Sequence, residues 1–315
     1  MVSLSWWREH RGDVLLADVR WYLDGRSGRD AYGAGHLPGA VFVDLDRWLA
    51  APASPEAGRH PLPDPAVFAD GMARLGIADD STVVAYDDAG GTVAARLVWM
   101  LRVTGHPAAL LDGGVQAYDG PPEQTTAQTT AQTTAQTTAQ TTEQAEQAAP
   151  PRPRARFTPR PWPDGRLASI EDAADPAHVV LDARDRARYR GDTEPVDPRP
   201  GHIPGARSLP CRENLAADGT FLPVPELRKR LAGAGVTEDA SVVCYCGSGV
   251  TACHDLLTLE HAGFPPGRLY PGSWSQYSHT SRLAALGDTP LSHRPSGLYS
   301  RPGGAVSRSP GRLLP

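Results

Sequence analysis

Short apolar runs alternate with longer stretches of helical spacing along this chain. Short apolar runs bounded by polar or glycine positions are typical of buried strands, whereas apolar residues that recur every three to four positions predict amphipathic helices. In the first half, the predicted strands are residues 14–17, 82–86 and 109–111. The predicted helices of this half are residues 65–75 and 93–103.

The second half repeats this order of elements. Its predicted strands are residues 179–181, 242–245 and 268–270, and its predicted helices are 225–234 and 251–262. Because the strands are apolar throughout and alternate with helices, each half is expected to form a mostly parallel sheet flanked by helices. The pattern therefore predicts an α/β protein with two domains of one kind.

Three short motifs recur in both halves in the same order, which indicates a duplicated domain. They are Asp-Val-Arg (18–20) and Asp-Ala-Arg (182–184), Gly-His-x-Pro-Gly-Ala (35–40 and 201–206), and Val-Val-Ala-Tyr-Asp (83–87) and Val-Val-Cys-Tyr-Cys (242–246). We place the domains at residues 1–120 and 161–290. Residues 121–160, with Gln-Thr-Thr-Ala units and many prolines, are expected to be a linker, and residues 291–315 a disordered tail.

Composition narrows the class of protein. The 315 residues carry a net charge of −5, and the pI of about 6.1 points to neither nucleic acid nor an anionic membrane as a partner. No stretch approaches the roughly 20 apolar residues that span a bilayer. The four cysteines are too few for a disulfide scaffold of this length. We therefore expect a reduced, cytoplasmic protein.

Cys246 is the most informative position for chemistry. It follows a predicted buried strand and opens the run Cys-Gly-Ser-Gly-Val-Thr-Ala-Cys at 246–253, just before a helix. Glycines let such a loop curl so that several N–H groups converge, and the helix adds its positive end, so a thiolate is favoured. A buried structural cysteine is the alternative. A metal site with Cys244, Cys253 and His254 does not have a usual zinc spacing, so we expect no metal.

These motifs, together with Arg-Tyr-Arg-Gly at 188–191 and Gly-Ser-Trp at 272–274, resemble the tandem-domain rhodaneses. That family contains thiosulfate sulfurtransferases and 3-mercaptopyruvate sulfurtransferases. The resemblance extends over about residues 4–120 and 160–286. It implies that only the second domain carries the nucleophile, because Asp87 stands where the first domain would need a cysteine, and a carboxylate cannot hold a persulfide.

The resemblance also implies a reaction and a site. Cys246 would take sulfur from a donor as a persulfide and pass it to an acceptor, in two half-reactions with ping-pong kinetics. The persulfide anion would be held by the backbone of the loop, at Gly247, Gly249, Val250 and Thr251. Protons would be moved by Ser248 together with two residues of the first domain, His60 and Asp46. No cofactor is implied.

Two arginines are expected to bind the donor's anionic end. Arg188 matches a substrate-binding arginine of the family, and Arg199 is the candidate for the second. The segment between them looks about two residues longer than in mercaptopyruvate enzymes, which leaves another arginine open as the second ligand. Arg184, Arg186 and Arg190 are expected to be solvated surface charges, with pairing to a carboxylate as the alternative for Arg184. His36 and His202 are expected to brace turns.

The loop bears on which donor is used. Thiosulfate enzymes usually carry an arginine and a lysine where this chain has the neutral Gly247 and Ser248, so the loop resembles the mercaptopyruvate type. Pro271, where the family commonly has aspartate, points the other way. The expected function is transfer of sulfur from 3-mercaptopyruvate to cyanide, a thiol or thioredoxin, with thiosulfate as the alternative donor.

Two other classes of function were weighed. Cysteine phosphatases share this fold but have a longer loop that ends in an arginine, whereas this loop ends at Thr251 and Ala252. That difference argues strongly against a phosphatase. A non-catalytic sulfur carrier or binding module is a weaker alternative, because the cysteine loop is intact.

Overall fold

The computed structural model describes residues 1–125 and 152–288. The first domain is a four-stranded parallel sheet in the order β2-β1-β3-β4. Its strands are β1 (Val14–Asp18), β2 (Val41–Phe42), β3 (Thr82–Tyr86) and β4 (Ala108–Leu110). Its helices are α1 (Leu4–His10), α2 (Gly28–Ala34), α3 (Pro65–Arg74) and α4 (Ala95–Val103), with a π-helical turn at Leu45–Leu49 and a 3₁₀ turn at Gly114–Ala117.

The second domain repeats this sheet in the order β6-β5-β7-β8, again with all strands parallel. Its strands are β5 (Val179–Asp182), β6 (Arg207–Ser208), β7 (Val242–Tyr245) and β8 (Arg268–Leu269). Its helices are α5 (Ile170–Ala174), α6 (Arg186–Arg190), α7 (Val224–Gly233), α8 (Ala252–His261) and α9 (Ser273–Tyr277), with 3₁₀ turns at Asp164–Arg166 and Cys211–Asn214. The predicted fold class is confirmed.

The central positions of β3 and β7 in their sheets explain why these two strands are apolar. β3 lies between β1 and β4, and β7 lies between β5 and β8, so both strands are hydrogen-bonded along both edges. Both strands are also almost fully buried. In register, Asp18 lies opposite Tyr86, and Asp182 lies opposite Tyr245. The residue that follows each tyrosine therefore emerges at the carboxyl edge of its sheet, where α/β proteins bind ligands.

Matching arginine–aspartate pairs sit at this edge in the two domains. Arg20 donates to both carboxylate oxygens of Asp18 and to the carbonyl of Gly35. Arg184 does the same with Asp182 and Gly201. The Arg184 side chain is only 2% exposed, so the prediction that it is a solvated surface charge is wrong. The alternative prediction, that Arg184 pairs with a carboxylate, is confirmed. A charge this deeply buried requires such a partner.

The two histidines of the repeated turns have equivalent surroundings. His36 stacks on Tyr32 and His202 stacks on Tyr189, in each case with 3.8 Å between ring centroids. The Nδ1 atom of each histidine is 2.8 Å from the carbonyl oxygen of the same tyrosine. Both histidines are buried and brace their turns, as predicted.

Part of the predicted linker packs on the first domain. Phe157 contacts the rings of Phe68 and His106, and the N–H of Ala155 donates to the carbonyl of Ala73. The predicted tail, residues 291–315, and the part of the predicted linker at residues 126–151 lie outside the described residues. Across residues 1–125 and 152–288, no helix is long and apolar enough to cross a bilayer.

Candidate active site

Cys246 lies directly after β7, and its side chain is buried under a tight loop. The N–H of Gly249 lies 3.1 Å from Cys246 Sγ, so the loop curls back over the sulfur. Gly249 has φ +77°, and a Cβ at this position would lie 2.6 Å from the carbonyl oxygen of Pro271. Glycine is therefore required here by both backbone conformation and space.

Ser273 holds the sulfur-bearing residue from the other side. Its hydroxyl accepts the N–H of Cys246 at 3.1 Å and donates to the carbonyl of Tyr270 at 2.9 Å. The next N–H, that of Trp274, donates to the carbonyl of Cys246. Ser273 is fully buried and has φ +52°, a conformation that costs a non-glycine residue free energy and often marks functional sites. Its positioning role was not predicted from the sequence.

The matching loop of the first domain shows what such a loop holds. The carboxylate of Asp87, at the position that matches Cys246, accepts N–H groups from Ala89, Gly91, Val93 and Ala94 at 2.7–2.9 Å. Burial raises the pKa of Asp87, and these four donors act in the opposite direction. Both oxygens meet only donors, as the ionised form requires.

The loop of the second domain leaves comparable donors open. Among the described residues, the N–H groups of Gly247, Ser248, Val250 and Thr251 donate to no acceptor. Unused N–H groups around a buried sulfur form a nest of the kind that binds anions. The loop can therefore accept a negative charge at the place where Asp87 carries its own in the first domain.

Ser248, His60 and Asp46 meet across the domain interface. His60 Nδ1 is 2.8 Å from Ser248 Oγ, and His60 Nε2 is 3.5 Å from Asp46 Oδ1. Trp21, which the sequence analysis did not single out, donates its indole N–H to Asp46 Oδ2 at 2.9 Å and packs edge-on to the imidazole. The structure thus brings together the three residues proposed to move protons, and their roles remain predictions.

The electrostatics of this group favour a neutral imidazole. Burial lowers the pKa of His60, and Asp46 opposes this with a smaller effect. The hydrogen bond with His60 lowers the pKa of Asp46, which is therefore a carboxylate at neutral pH. With the imidazole proton on Nε2 facing Asp46, Nδ1 is left to accept the hydroxyl proton of Ser248.

Replacing Asp46 by asparagine is expected to extend activity to lower pH while reducing kcat. Asp46 raises the pKa of His60, so its removal lowers that pKa further, and the imidazole stays neutral to more acidic pH. The loss of orientation is expected to reduce kcat by about tenfold. The pH profile of kcat measures both effects. Asp70→Asn, which changes a partly exposed carboxylate on α3 that pairs with Arg74 and Arg154, is the control. An acid limb that does not move in Asp46→Asn contradicts the assignment.

Two guanidiniums lie beside the loop. A Cβ at Gly247 would lie 3.4 Å from Arg188 Nη1 and 3.1 Å from Arg59 Nη2. Arg59 was not predicted, and its backbone N–H donates to Ser275 Oγ, which ties it to the second domain. Asp197 bridges the two arginines on their other side. We call Arg59 and Arg188 the arginine clamp.

Arg199 is engaged elsewhere. Its guanidinium donates to the carbonyls of Tyr277, Ser278 and Arg282 at 2.8–3.1 Å. These carbonyls lie at and beyond the end of α9, where helical carbonyls lack intrahelical partners. The structure does not bring this guanidinium against the cysteine loop, and Arg59 takes its place as our candidate for the second arginine.

Arg96 of α4 reaches across the interface to the cysteine loop. It is fully buried and donates to the carbonyls of Gly249 at 2.9 Å, His60 at 3.1 Å and Leu49 at 3.3 Å. It forms no ion pair with any carboxylate in residues 1–125 and 152–288. The sequence does contain a signal for this residue, because it is a single arginine in the middle of the otherwise apolar stretch 93–101.

The other three cysteines, Cys211, Cys244 and Cys253, are buried free thiols. Burial raises the pKa of each, to about 12 for Cys253, so they are protonated at neutral pH. The Cys253 thiol lies 3.4 Å from the carbonyl of Gly249 and helps to hold the loop. Across the part of the chain that the structure describes, no three His, Cys, Asp or Glu side chains are grouped as metal ligands.

Comparison with known proteins agrees with this geometry. The family model described as rhodanese-like domain matches residues 4–120 and again residues 167–280. This chain belongs to the rhodanese family. The two matches correspond to the two sheets, and Cys246 lies within the second match. The rhodanese fold thus occurs twice, with the cysteine loop in one copy and the Asp87 loop in the other.

Relatives of this rhodanese are named for both sulfur donors. A Pseudomonas aeruginosa protein named for 3-mercaptopyruvate sulfurtransferase activity is 41% identical over 292 residues, which are 88% of this chain and 93% of the relative. Mycobacterium tuberculosis SseB, named for thiosulfate sulfurtransferase activity, is 38% identical and covers 84% of this chain and 88% of its own length. The names of these relatives do not decide between the two donors.

Solved structures of the family are similar over most of this chain. The crystal structure of SseA from Escherichia coli, described as a 3-mercaptopyruvate enzyme, has a TM-score of 0.70 and 30% identity, and the match covers 87% of this chain and 98% of SseA. The Leishmania major 3-mercaptopyruvate sulfurtransferase has a TM-score of 0.73 and 30% identity, and covers 88% of this chain and 73% of that protein.

Proposed function

We propose that this rhodanese transfers sulfur from 3-mercaptopyruvate to a thiophilic acceptor through a persulfide on Cys246. The observation that carries the proposal is the buried sulfur of Cys246, which lies beneath a loop whose other N–H groups have no acceptor among the described residues. The loop itself has no cationic side chain. The relatives named for the same activity over most of their length support it.

The first half-reaction moves one sulfur atom to the enzyme. The thiolate of Cys246 attacks the donor's sulfur, the new S–S bond forms, and the donor's C–S bond breaks. The electron pair of that bond goes to the methylene carbon, which leaves as the enolate of pyruvate. This carbon takes up a proton, which the donor's thiol can supply through Ser248 and His60. The nest of N–H groups stabilises the persulfide anion, much as an oxyanion hole stabilises oxygen.

The second half-reaction returns the enzyme to its starting state. The acceptor attacks the outer sulfur of the persulfide, the S–S bond breaks, and Cys246 leaves as a thiolate. Cyanide, a small thiol or a reduced thioredoxin can each be the acceptor. Cyanide attacks the outer sulfur through its carbon atom, and the thiols attack it as thiolates. We propose the cytoplasm as the compartment, since all four cysteines are free thiols in the structure.

Thiosulfate is the second candidate donor. The arginine clamp beside Gly247 could bind its sulfonate oxygens, and SseB is named for this activity. A non-catalytic sulfur carrier is the weaker alternative, and it would form the persulfide without turning over small acceptors.

Mass spectrometry of the intact protein separates these proposals. Incubation with 3-mercaptopyruvate without an acceptor is expected to add one sulfur atom to Cys246, and addition of cyanide is expected to remove it as thiocyanate. A higher kcat/KM for thiosulfate than for 3-mercaptopyruvate would overturn the choice of donor. Absence of a sulfur adduct with both donors would overturn the sulfurtransferase proposal itself.

A further inference from the structure

One buried carboxylate bridges the two arginines of the clamp. Asp197 Oδ1 accepts from Arg59 Nη1 at 2.8 Å, and Oδ2 accepts from Arg188 Nη2 at 2.9 Å. The Asp197 side chain is 3% exposed, so water competes little for these bonds. A carboxylate that binds two guanidiniums at once fixes both their separation and the direction of their free N–H groups.

Glu194 locks the segment that carries Asp197. Its Oε1 accepts from Arg188 Nη2 at 2.7 Å and from the backbone N–H groups of Val196 and Asp197. Its Oε2 lies 3.3 Å from both Arg188 Nε and Arg184 Nη1. This segment lies within residues 189–198, which we expect to be about two residues longer than in the mercaptopyruvate enzymes. The same segment supplies both carboxylates that bind the clamp, those of Glu194 and Asp197.

The edges of the clamp that face the cysteine loop are unused. Arg59 Nη2 and Arg188 Nη1 are the atoms nearest to Gly247, and within the described residues neither donates to an acceptor. Arg59 Nε is buried and has no hydrogen-bond partner. Because buried donors are nearly always paired, an unpaired one beside a nucleophile indicates the place of a ligand's acceptor atom.

The clamp offers these donors without a surplus of positive charge. Three guanidiniums are matched by three carboxylates, and the six residues are Arg59, Arg184, Arg188, Asp182, Glu194 and Asp197. A donor with one carboxylate can be held here by directional hydrogen bonds. Within this group of six residues, the second negative charge of thiosulfate meets no unbalanced cation, and charges interact strongly where they are buried.

We propose that Asp197 determines donor specificity. It aims both guanidiniums of the clamp at the loop and cancels one of their charges, and it thereby favours a monoanionic α-keto acid over the thiosulfate dianion. This proposal rests on the proposed function. Asp197 acts through Arg59 and Arg188, so it is a positioning residue, and its effect is on the choice between donors rather than on the chemistry at sulfur.

Asp197→Asn tests the proposal because it removes one negative charge with little change of shape. We expect the ratio of kcat/KM for thiosulfate to kcat/KM for 3-mercaptopyruvate to rise by about tenfold, mainly through a lower KM for thiosulfate. Asp197→Glu keeps the charge but displaces the carboxylate by one methylene, so it is expected to raise the ratio less than Asp197→Asn does. Asp192→Asn, in the same segment but exposed and paired with Arg190, is the matched control.

The outcomes are distinguishable. A ratio that is unchanged or lower in a folded Asp197→Asn protein overturns the proposal, as does an equal rise in Asp192→Asn. If Asp197→Asn does not fold, Glu194→Gln removes a charge from the same clamp and is expected to move the ratio in the same direction, and an unmoved ratio there also overturns it. Failure of the proposed function gives a different result, in which wild-type Cys246 gains no sulfur from either donor.

Discussion

Cys246→Ser is expected to abolish sulfur transfer and the sulfur adduct together. A serine hydroxyl in the same nest cannot form a persulfide, so the covalent intermediate is lost rather than slowed. Removal of a nucleophile from an enzyme of this kind lowers kcat by at least about 10³-fold. The measurement combines steady-state rates with the intact mass after incubation with 3-mercaptopyruvate. The fold should be retained, because serine is close in size and Gly249 can donate to it.

Cys253→Ser provides the matched control. Its thiol is also buried and lies 3.4 Å from the carbonyl of Gly249, to which a serine hydroxyl can donate. We expect Cys253→Ser to keep the sulfur adduct and to lose less than about tenfold in kcat, since only packing changes. An adduct that persists in Cys246→Ser but disappears in Cys253→Ser would move the nucleophile to Cys253.

Arg96→Met is expected to lower the free energy of unfolding by about 3–5 kcal/mol. Methionine fills much of the space, but the carbonyls of Leu49, His60 and Gly249 would lose their donor inside the protein. These three carbonyls come from both domains, so the interface and the cysteine loop are expected to loosen together. The midpoint of urea unfolding measures the change in stability. Arg102→Met on the same helix, which loses an ion pair with Glu260 at the interface, is the control and is expected to cost about 1 kcal/mol.

Arg96→Lys separates hydrogen bonding from charge. A lysine ammonium keeps the positive charge but cannot reach three carbonyls in the planar geometry of a guanidinium. Burial lowers the pKa of Arg96, and negative charge on nearby sulfur opposes this effect, so a charged Arg96 favours an anion held by the cysteine loop. We expect Arg96→Met to slow alkylation of Cys246 and Arg96→Lys to recover part of that rate but little of the stability. Equal rates of Cys246 alkylation in Arg96→Met and Arg96→Lys would mean that Arg96 has only a structural role.

The longer elements and the central chemistry of this protein could be predicted from the sequence. Strands 82–86 and 242–245 were predicted with their observed bounds, because each is a fully buried apolar run. Two-residue strands such as Arg207–Ser208 carry no periodicity and were missed. The short helix Arg186–Arg190 was also missed, although Asp185 caps it by accepting the N–H of Arg188, a signal that the sequence does contain.

Residues that act across the interface were harder to find. Arg59 and Trp21 belong to no motif of the cysteine loop and come from segments of the first domain, so only the packing of the domains brings them to the site. Arg199 shows the converse. Its position along the chain suggested an anion ligand, but the carbonyls at the end of α9 take its donors. Spacing in sequence cannot reveal which of two nearby acceptors a flexible arginine will reach.

The permanently filled loop of the first domain has a mechanical consequence. Two of the four N–H groups that bind Asp87 belong to Val93 and Ala94, directly before α4, so this anion pins the start of that helix. Arg96 lies in the first turn of α4 and reaches Gly249 in the loop that, in the proposed reaction, gains and loses sulfur in every turnover. A side chain that is part of the chain, and never leaves, thus gives the cysteine loop a fixed support that is independent of whether sulfur is bound.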